Sequence, residues 1–422
     1  LGRETTYPKA GRAYLYSYSI LIMSTNNFST SEIQQIRTDT FGTASRIHFD
    51  NAGSSLPPDI VVQTVINYLQ REALVGGYEM ENDHREELAN VYTLIARLIN
   101  ATPGEIAITE NASAAWGMAF NGIEFREGDV ILASEYEYEA NILGFLAARN
   151  KGVGVRVIPN NEEGDFSVST LEEMISPKTK LIAVTHIPSS AGGILPVAEI
   201  GQIARKHNIL YLVDACQSIG HLPIDVKEIN CDMLSVTGRK YLRAPRGTGF
   251  LYVRSSIQDL LKPLLMDEFS ISDMNEYGFQ LKADAKRFEL FENSRALRLG
   301  LGKAVEYAMN LGLDRISARI RMLASILRQE LSSLPRVTVM DRGKELSGIV
   351  TFSVTGAEST WLQSELAKRQ INLNLTTTKA TLYYMQKYQL DNILRASVHY
   401  YNTEEEISIF LTTMGELIRQ SN

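Results

Sequence analysis

Short apolar runs that alternate with helical stretches are the feature that most restricts how this chain can fold. The runs lie at residues 105–109, 129–133, 154–158, 181–185, 210–214 and 233–236. Stretches with apolar residues at helical spacing separate them, at 112–123, 137–150, 169–175 and 197–207. Apolar strands joined by crossover helices are typical of a mostly parallel sheet covered on both faces. With a further strand at 247–253, returning antiparallel, we predict an α/β fold around a seven-stranded sheet.

The pattern changes near residue 290. Two long helices, at 295–310 and 314–334, are followed by strands near 336–340 and 347–354 and by a last helix at 403–420. This order predicts a smaller α+β domain at the C-terminus. A chain of 422 residues is long enough for a large and a small domain. We place the large domain at 23–290, including an N-terminal segment, and the small domain at 291–422.

The first 22 residues are expected to be an upstream, disordered segment. They include a Tyr- and Ser-rich run, and the chain does not begin with Met. Met23, followed by polar residues 24–27, is a plausible start. We therefore exclude this segment from the fold.

Composition excludes several classes of protein. Apolar residues make up 44% of the chain and charged residues 22%, which is ordinary for a soluble globular protein. A net charge of −7, with no basic stripe, argues against nucleic acid as a partner. No stretch is long enough to cross a membrane. Two cysteines without a CxxC pair predict no metal site and no disulfide framework, and a cytoplasmic location.

Two residues suggest a cofactor. Asp214 ends an apolar strand, and Lys240 follows a second apolar run 26 residues later, in the sequence 237–241. Open α/β sheets bind ligands at the carboxyl ends of their strands. A Lys amine can form a Schiff base with a pyridine aldehyde, and an Asp can keep the ring nitrogen protonated. Alternatively, the Lys is solvated and the Asp is a helix cap.

Two further segments suit a phosphate group. Thr237 and Gly238 offer a hydroxyl and a flexible backbone just before the lysine. The run at 109–115 lies between a strand and a helix, where free backbone N–H groups and the Ser113 hydroxyl could bind an anion. The same run could be only a polar cap.

The motifs at 214–217, 237–240 and 246–252 resemble the class V aminotransferase family. The resemblance extends from about residue 46 to the C-terminus and is strongest to the cysteine desulfurase and selenocysteine lyase branch. It implies the fold-type I architecture of pyridoxal-phosphate enzymes, as a homodimer. By this resemblance, Lys240 is the catalytic Schiff-base lysine and Asp214 the partner of the pyridine nitrogen. Gln217 hydrogen-bonds the cofactor's phenolic oxygen.

The resemblance assigns the remaining site as follows. Ala112, Ser113 and Thr237 bind the cofactor's phosphate. His186 and Ser189 lie beside the cofactor, with Ser189 where many members carry Asn. A core position is the alternative for His186.

Two more residues complete the predicted site. Tyr138 stands where many relatives have a His stacked on the ring; it offers a flat face but lacks the proton-shuttling ability of imidazole. Arg395 matches the arginine that clamps the substrate's α-carboxylate, a role that suits its planar fork. The alternative for Arg395 is a surface ion pair.

One departure separates the chain from the desulfurases. Those enzymes need a mobile cysteine on a loop shortly before the arginine motif, and the corresponding residues 373–382 contain none. Cys216 and Cys231 lie elsewhere in the sequence, and neither is expected to act as the nucleophile. The resemblance therefore implies a pyridoxal-phosphate enzyme that acts on a small-molecule α-amino acid by β-elimination of a sulfur-bearing group, a C–S lyase. Transamination, epimerisation and a cofactor-free binding protein on the same fold remain alternatives.

Overall fold

The structure, a computed structural model, describes residues 27–421. The prediction about residues 1–22 lies outside them. The helices are α1 (Thr30–Thr38), α2 (Asn51–Ser54), α3 (Asp59–Val75), α4 (Gly77–Asp83), α5 (Arg85–Leu98), α6 (Ala112–Gly122), α7 (Glu139–Arg149), α8 (Val168–Met174), α9 (Val197–Lys206), α10 (Val226–Ile229), α11 (Arg295–Leu311), α12 (Leu313–Ser333), α13 (Ser359–Lys368), α14 (Leu382–Lys387) and α15 (Glu404–Gln420). The strands are β1 (Ile47–His48), β2 (Ile106–Thr109), β3 (Val130–Ser134), β4 (Gly154–Ile158), β5 (Thr179–Thr185), β6 (Leu210–Asp214), β7 (Met233–Thr237), β8 (Gly249–Val253), β9 (Ile271–Asn275), β10 (Gly278–Leu281), β11 (Val337–Val339), β12 (Ile349–Val354), β13 (Ile371–Asn372), β14 (Asn374–Thr376) and β15 (Ile393–Ser397).

The central sheet has seven strands in the order β2-β8-β7-β6-β5-β3-β4. Its strands are parallel except β8, which runs antiparallel to β2 and β7. Every residue of β3, β7 and β8 is buried, as expected for strands with helices on both faces. The predicted seven-stranded, mostly parallel sheet is confirmed, including the antiparallel strand at its predicted place. The register brings the carboxyl ends of β5, β6 and β7 to one edge, since Thr185 pairs with Asp214 and Asp214 with Ser235.

A second sheet lies in the C-terminal third of the chain. Its four antiparallel strands have the order β11-β12-β15-β14. Helices α12 and α13 pack against it with buried apolar residues such as Leu327 and Leu366, and α15 contacts it through the Phe410 ring, which packs against Phe352 of β12. This is the α+β arrangement that the sequence predicts.

The segment before α3 packs against the C-terminal part of the chain. Strand β1 pairs with β13, and the Ser397 N–H donates to the Phe49 carbonyl at 2.7 Å. The Asn51 side chain also donates to the Ser397 carbonyl at 2.7 Å. Residues 49–53 therefore lie where the two sheets meet. The proposed boundary at residue 290 stays a prediction.

Two local features differ from the simplest interpretation of the sequence. The Gly-rich stretch near residue 76 predicts a break before a long helix that starts near residue 82, but α4 already begins at Gly77. Gly76 has φ of 101°, which lets the chain turn sharply within one residue. The hairpin of β9 and β10 is largely exposed and carries no strong apolar alternation.

Among residues 27–421, no helix has both the length and the apolar character that crossing a membrane requires.

Candidate active site

A cavity of about 370 Å³ opens at the carboxyl ends of the central strands. Most of the predicted site residues line it: Ala112, Ser113, Tyr138, Ser189, Asp214, Gln217, Thr237 and Lys240. These residues come from five separate segments of the chain, brought together by the sheet register. Their roles remain predictions, but their placement in one cavity is the geometry that those roles require.

Lys240 lies on the turn after β7, and its side chain ends in the cavity. It is 8% exposed, and its Nζ lies 5.7 Å from the centre of the Tyr138 ring. Within residues 27–421 its amine forms no ion pair or hydrogen bond. Burial lowers the pKa of Lys240, while the nearby charge of Asp214 partly opposes that shift. The amine is therefore more easily deprotonated than a surface lysine.

The turn that carries Lys240 is held by close packing. A side-chain Cβ at Gly238 would come within 2.3 Å of the Thr248 hydroxyl oxygen and 2.8 Å of the Ala244 Cβ. The backbone also closes on itself, because the Gly238 N–H donates to the Thr248 carbonyl at 2.9 Å. The predicted flexibility of this glycine is thus used for a tight approach rather than for motion.

Asp214 is the last residue of β6 and is 5% exposed. One carboxylate oxygen, Oδ1, accepts from the Cys216 N–H at 2.9 Å. The other, Oδ2, accepts from the Asn141 side-chain amide at 3.3 Å. No lysine or arginine forms an ion pair with this carboxylate in the described part of the chain. Its negative charge is therefore available to a cation in the cavity.

Gln217 is a second buried polar side chain on the cavity wall. Its Nε2 donates to the Ala52 carbonyl at 3.0 Å, but its Oε1 is buried without a partner. A buried acceptor without a donor costs free energy, on the order of 1–3 kcal/mol. A bound molecule with polar groups near Gln217 could relieve this cost.

The predicted phosphate residues form a separate corner of the cavity. Helix α6 begins at Ala112, and Asn111 caps it by accepting from the Ala114 N–H at 2.9 Å. The first turn leaves the N–H groups of Ala112 and Ser113 without intrahelical acceptors, next to the positive end of the helix dipole. Thr237 faces the same cavity from the end of β7. This corner suits an anion.

Glycine is needed where β8 passes this corner. A Cβ at Gly249 would lie 2.4 Å from the Val236 carbonyl oxygen and 3.2 Å from the Asn111 Cα. A larger residue would therefore push the start of α6 away from β7.

Two predicted site residues do not line the cavity. His186 lies between Thr185 and Ile187, two residues that do line it, and successive residues of an extended segment point to opposite sides. The His186 ring is consequently buried away from the cavity, with Nδ1 unpartnered, and burial lowers its pKa to about 4. Its backbone N–H donates to the Asp214 carbonyl at 2.9 Å. This placement agrees with the alternative of a core histidine.

Arg395 lies behind the cavity wall, on β15. Its Nη1 donates to the Ser189 carbonyl, and its Nη2 pairs with Asp50 Oδ1, both at 2.9 Å. The side chain is 8% exposed, so the surface ion pair considered as its alternative is not what the structure shows. Arg395 holds the segment that presents Ser189 to the cavity.

The loop at 373–382 is well packed. Thr376 and Thr381 are both buried, and their hydroxyls lie 2.5 and 2.9 Å from the Ser190 hydroxyl. Cys216 lines the cavity but is buried, and burial raises the pKa of its thiol well above the usual range. Burial raises the pKa of Cys231 as well. Neither thiol is disposed to ionise, in line with the sequence-based expectation.

Several further residues line the cavity without a role predicted from the sequence: Asn111, Ala140, Asn141, Thr185, Ile187, Cys216 and Arg239. Asn111 and Cys216 lie within the 109–115 and 214–217 motifs, and Arg239 is adjacent to Lys240, so the sequence already indicated their neighbourhood. No sequence pattern pointed to Ala140, Asn141, Thr185 or Ile187 as part of the site.

Comparisons with known proteins identify the family. The sequence profile of the class V aminotransferases matches residues 47–410. A probable cysteine desulfurase of Methanothermobacter thermautotrophicus is 30% identical over 390 residues, which cover 91% of this chain and 98% of that protein. A probable cysteine desulfurase of Pyrococcus abyssi is 29% identical, with 92% and 98% covered. The apo structure of a cysteine desulfurase from Thermococcus onnurineus NA1 superposes with a TM-score of 0.85, at 28% identity, covering 92% of this chain and 98% of that one.

The cavity fits pyridoxal phosphate, the cofactor of this family. The cavity offers an amine without an ion pair, a carboxylate without an ion pair and a helix N-terminus, which would suit the aldehyde, the ring nitrogen and the phosphate of such a molecule. The second N–H of Gln217 Nε2, which the bond to the Ala52 carbonyl leaves unused, is a further polar group that such a ligand could engage. The chain belongs to the class V aminotransferase family, and it is a pyridoxal-phosphate-dependent enzyme.

Proposed function

We propose that the protein catalyses β-elimination from an α-amino acid that carries sulfur on its β-carbon, that is, C–S lyase chemistry. The observation that carries this proposal is that the Lys240 amine and the Asp214 carboxylate lie in one buried cavity and that neither forms an ion pair within the described residues. The packed loop at 373–382 contains no cysteine. When bound, pyridoxal phosphate supplies an aldehyde that takes the substrate's amine and a protonated ring that withdraws electrons from the α-carbon.

Lys240 moves the protons. Its lowered pKa favours the neutral amine, which takes the proton from the substrate's α-carbon. The C–S bond then breaks with its electron pair on sulfur. The resulting Lys240 ammonium, an acid inside the same cavity, returns the proton to the departing thiolate. The three-carbon enamine that is released adds water and gives pyruvate and ammonia, so atoms and charge balance.

Asp214 keeps the ring nitrogen protonated. Its position at the end of β6 and its hydrogen bonds to Cys216 N and Asn141 Nδ2 fix the direction of the carboxylate. The phosphate is assigned to the corner formed by Ala112, Ser113 and Thr237. Gln217 is assigned to the phenolic oxygen. Its Nε2 carries two N–H groups, and the hydrogen bond to the Ala52 carbonyl uses only one of them.

Arg395 lies behind the Ser189 segment of the cavity wall, and it is proposed to bind the substrate carboxylate from there. A guanidinium has five N–H groups, and the two hydrogen bonds to Ser189 and Asp50 use only two of them. The remaining groups include the buried Nε, which has no partner. Asp50 orients the fork without exhausting its donors.

The absence of cysteine in the 373–382 loop decides how sulfur leaves. The relatives named above are called cysteine desulfurases. In this chain, Ser190 ties that loop to the central domain through Thr376 and Thr381. Sulfur therefore departs as part of the substrate's own thiol or persulfide rather than on a protein cysteine.

We also propose that the enzyme works as a homodimer. Large apolar residues are exposed on the β9–β10 hairpin and on the segment before it, and they include Leu264, Leu265, Met274 and Phe279. An exposed apolar surface of this kind supports an interface between protein chains.

The test is product analysis with the pyridoxal-phosphate-loaded enzyme. S-substituted cysteines, including L-cystine, are incubated with and without a keto-acid acceptor, and pyruvate, ammonia and thiol are quantified. Equal amounts of pyruvate and ammonia without an acceptor support elimination. Turnover that requires an acceptor refutes elimination in favour of transamination, and loss of optical activity without product refutes it in favour of epimerisation.

A further inference from the structure

Glu137 is a buried carboxylate behind the cavity, and neither the sequence analysis nor the proposed mechanism uses it. It has no exposed surface, and it lies two residues before the start of α7, next to Tyr138. Its Oε1 accepts from the Ser134 hydroxyl at 2.5 Å and from the Thr185 N–H at 2.9 Å. Its Oε2 accepts from Asn141 Nδ2 at 3.0 Å and from the Thr185 hydroxyl at 3.1 Å.

Four donors around one carboxylate favour its ionised form, since an ionised carboxylate accepts and does not donate. Two of these donors have a fixed direction. The Thr185 N–H is a backbone donor, and the Ser134 hydroxyl accepts from the Tyr136 N–H at 3.2 Å and so turns its proton to Glu137. Burial opposes ionisation and raises the pKa of Glu137 to about 7. The charge is therefore complete only above neutral pH.

The link to the cofactor site is Asn141. This buried amide lines the cavity and donates through the same nitrogen, Nδ2, to Glu137 Oε2 and to Asp214 Oδ2. An amide has two N–H groups, so each carboxylate receives one. Asn141 thus bridges two buried carboxylates and is oriented by the one that does not face the cavity.

We propose that Glu137 is a positioning residue that acts through Asn141 to fix the Asp214 carboxylate and to keep the cofactor's ring nitrogen protonated. This rests on the proposed function, in which Asp214 faces that nitrogen. The negative charge of Glu137 behind Asp214 makes a positive charge in the cavity more favourable. Glu137 is not among the residues that line the cavity, so it acts indirectly, through the Asn141 bridge and through its negative charge behind Asp214.

The surroundings of Glu137 do not supply another explanation for a pH effect. The titratable groups that interact with it are Asp214 and Tyr211 on β6 and Tyr383 on α14. Burial raises the pKa of both tyrosines, which therefore stay neutral near pH 7. Among Glu137 and these two tyrosines, the charge that changes near neutral pH is that of Glu137.

The decisive variant is Glu137→Gln, which keeps the size and removes the charge. The fixed Thr185 N–H requires an acceptor, so the new amide nitrogen turns toward Asn141 and breaks the bridge. Glu135→Gln is the matched control. Glu135 is buried two residues earlier, but it pairs with Lys387 at 2.6 Å and has no hydrogen bond to Asn141 or Asp214 in the described structure.

The measurement is the ¹⁵N NMR shift of the ring nitrogen of bound, ¹⁵N-labelled pyridoxal phosphate as a function of pH. In wild type and Glu135→Gln, we expect the nitrogen to lose its proton at the same midpoint. In Glu137→Gln, that midpoint falls by roughly one pH unit or more, the size of shift that a close charge causes. The difference from wild type should be largest above pH 7, where Glu137 is charged.

A second variant keeps the inference testable if Glu137→Gln does not fold or takes up no cofactor. Asn141→Ala removes the bridge and leaves Glu137 with three donors, and it should lower the midpoint in the same direction. If the ring nitrogen of Glu137→Gln loses its proton at the wild-type midpoint, the proposed role of Glu137 is wrong. If only Asn141→Ala folds, a wild-type midpoint in that variant leads to the same conclusion. If wild-type protein takes up no pyridoxal phosphate, the cofactor assignment itself fails, which is a different result.

Discussion

The two walls of the cavity are held in different ways. The wall at the strand ends carries Lys240, Asp214 and Gln217, whose polar atoms are buried but only partly used by the protein. The opposite wall, near the second sheet, is held by side-chain pairs, since Arg395 engages Asp50 and the Ser189 carbonyl. The first wall is built by backbone register, and the second depends on contacts between distant parts of the chain.

We therefore assign the reaction to the strand-end wall and substrate binding to the opposite wall. The unused amine and carboxylate on the strand-end wall can act on a cofactor without first giving up a protein partner. Behind the opposite wall, the substrate carboxylate that we propose to bind there would join an arginine that is already oriented. Substitutions on the first wall should therefore reduce kcat, and those on the second should mainly raise KM.

The largest expected effect is that of Lys240→Ala. Removal of the base should lower kcat by at least about 10³-fold and should abolish the visible absorbance of bound pyridoxal phosphate. Lys262→Ala, at an exposed position, is the control. Steady-state kinetics and an absorbance spectrum measure both effects. A variant with more than a tenth of wild-type kcat would show that Lys240 is not the base.

Asp214→Asn should be the next largest. The amide keeps the size of the side chain and can still accept from the Cys216 N–H, but it no longer carries the negative charge. We expect kcat to fall by about 10²- to 10³-fold, the range found when one electrostatic partner of a transition state is removed. An unchanged kcat with full cofactor uptake would contradict the assignment of Asp214.

On the opposite wall, Arg395→Ala should raise KM for α-amino acids by about 10- to 100-fold, because a charge-assisted hydrogen bond is lost. Asp50→Asn leaves the guanidinium in place and loosens only its orientation. Its KM should rise less, on the order of a few-fold. If the two variants change kcat and leave KM unchanged, the assignment of substrate binding to the opposite wall is wrong.

The smallest effects concern the contact between the two sheets. His221 accepts from the Gly348 N–H at 3.1 Å, and His399 donates to the Tyr241 carbonyl at 3.1 Å. Burial lowers the pKa of His221 to about 3 and that of His399 further below its usual value. Both are neutral when folded but titrate near 6.5 when unfolded, so their contribution to stability is present above pH 6.5 and is lost as pH falls.

Each such histidine should lower the free energy of unfolding by about 1.4 kcal/mol per pH unit below 6.5. Urea unfolding at pH 7, 6 and 5 measures this slope. In His221→Gln, the decrease of the unfolding free energy with falling pH should be smaller by the contribution of one histidine, about 1.4 kcal/mol per pH unit. In the control His207→Gln, at the surface, this decrease should be the same as in wild type. Equal slopes in wild type and His221→Gln would exclude this contribution.

The sequence was sufficient for the strand-end wall and insufficient for the other. Lys240, Asp214 and the start of α6 follow strands, and the rule that ligands bind at the carboxyl ends of a parallel sheet brings them together. Asp50, the partner of Arg395, is 345 residues away in the chain, and no local pattern connects the two. The bridging role of Asn141 depends on two carboxylates 77 residues apart, Glu137 and Asp214, which only the strand register places side by side.

The position of His186 shows how one residue of register decides a side chain's role. The motif predicts that it lies beside the cofactor, and its backbone N–H donates to the carbonyl of Asp214, a residue that lines the cavity. Its neighbour Thr185 faces the cavity, so the histidine ring lies on the other side. A sequence motif predicts where in the fold a residue lies, whereas the side to which its side chain points follows from its position in the extended segment.

The most direct test of the account is the ratio of pyruvate to alanine formed from L-cystine and L-cysteine by the loaded enzyme. Elimination by Lys240 yields pyruvate with little alanine, and the activity survives Cys216→Ser and Cys231→Ser. Alanine as the main product, lost on substitution of either cysteine, would show a protein persulfide and would contradict the account.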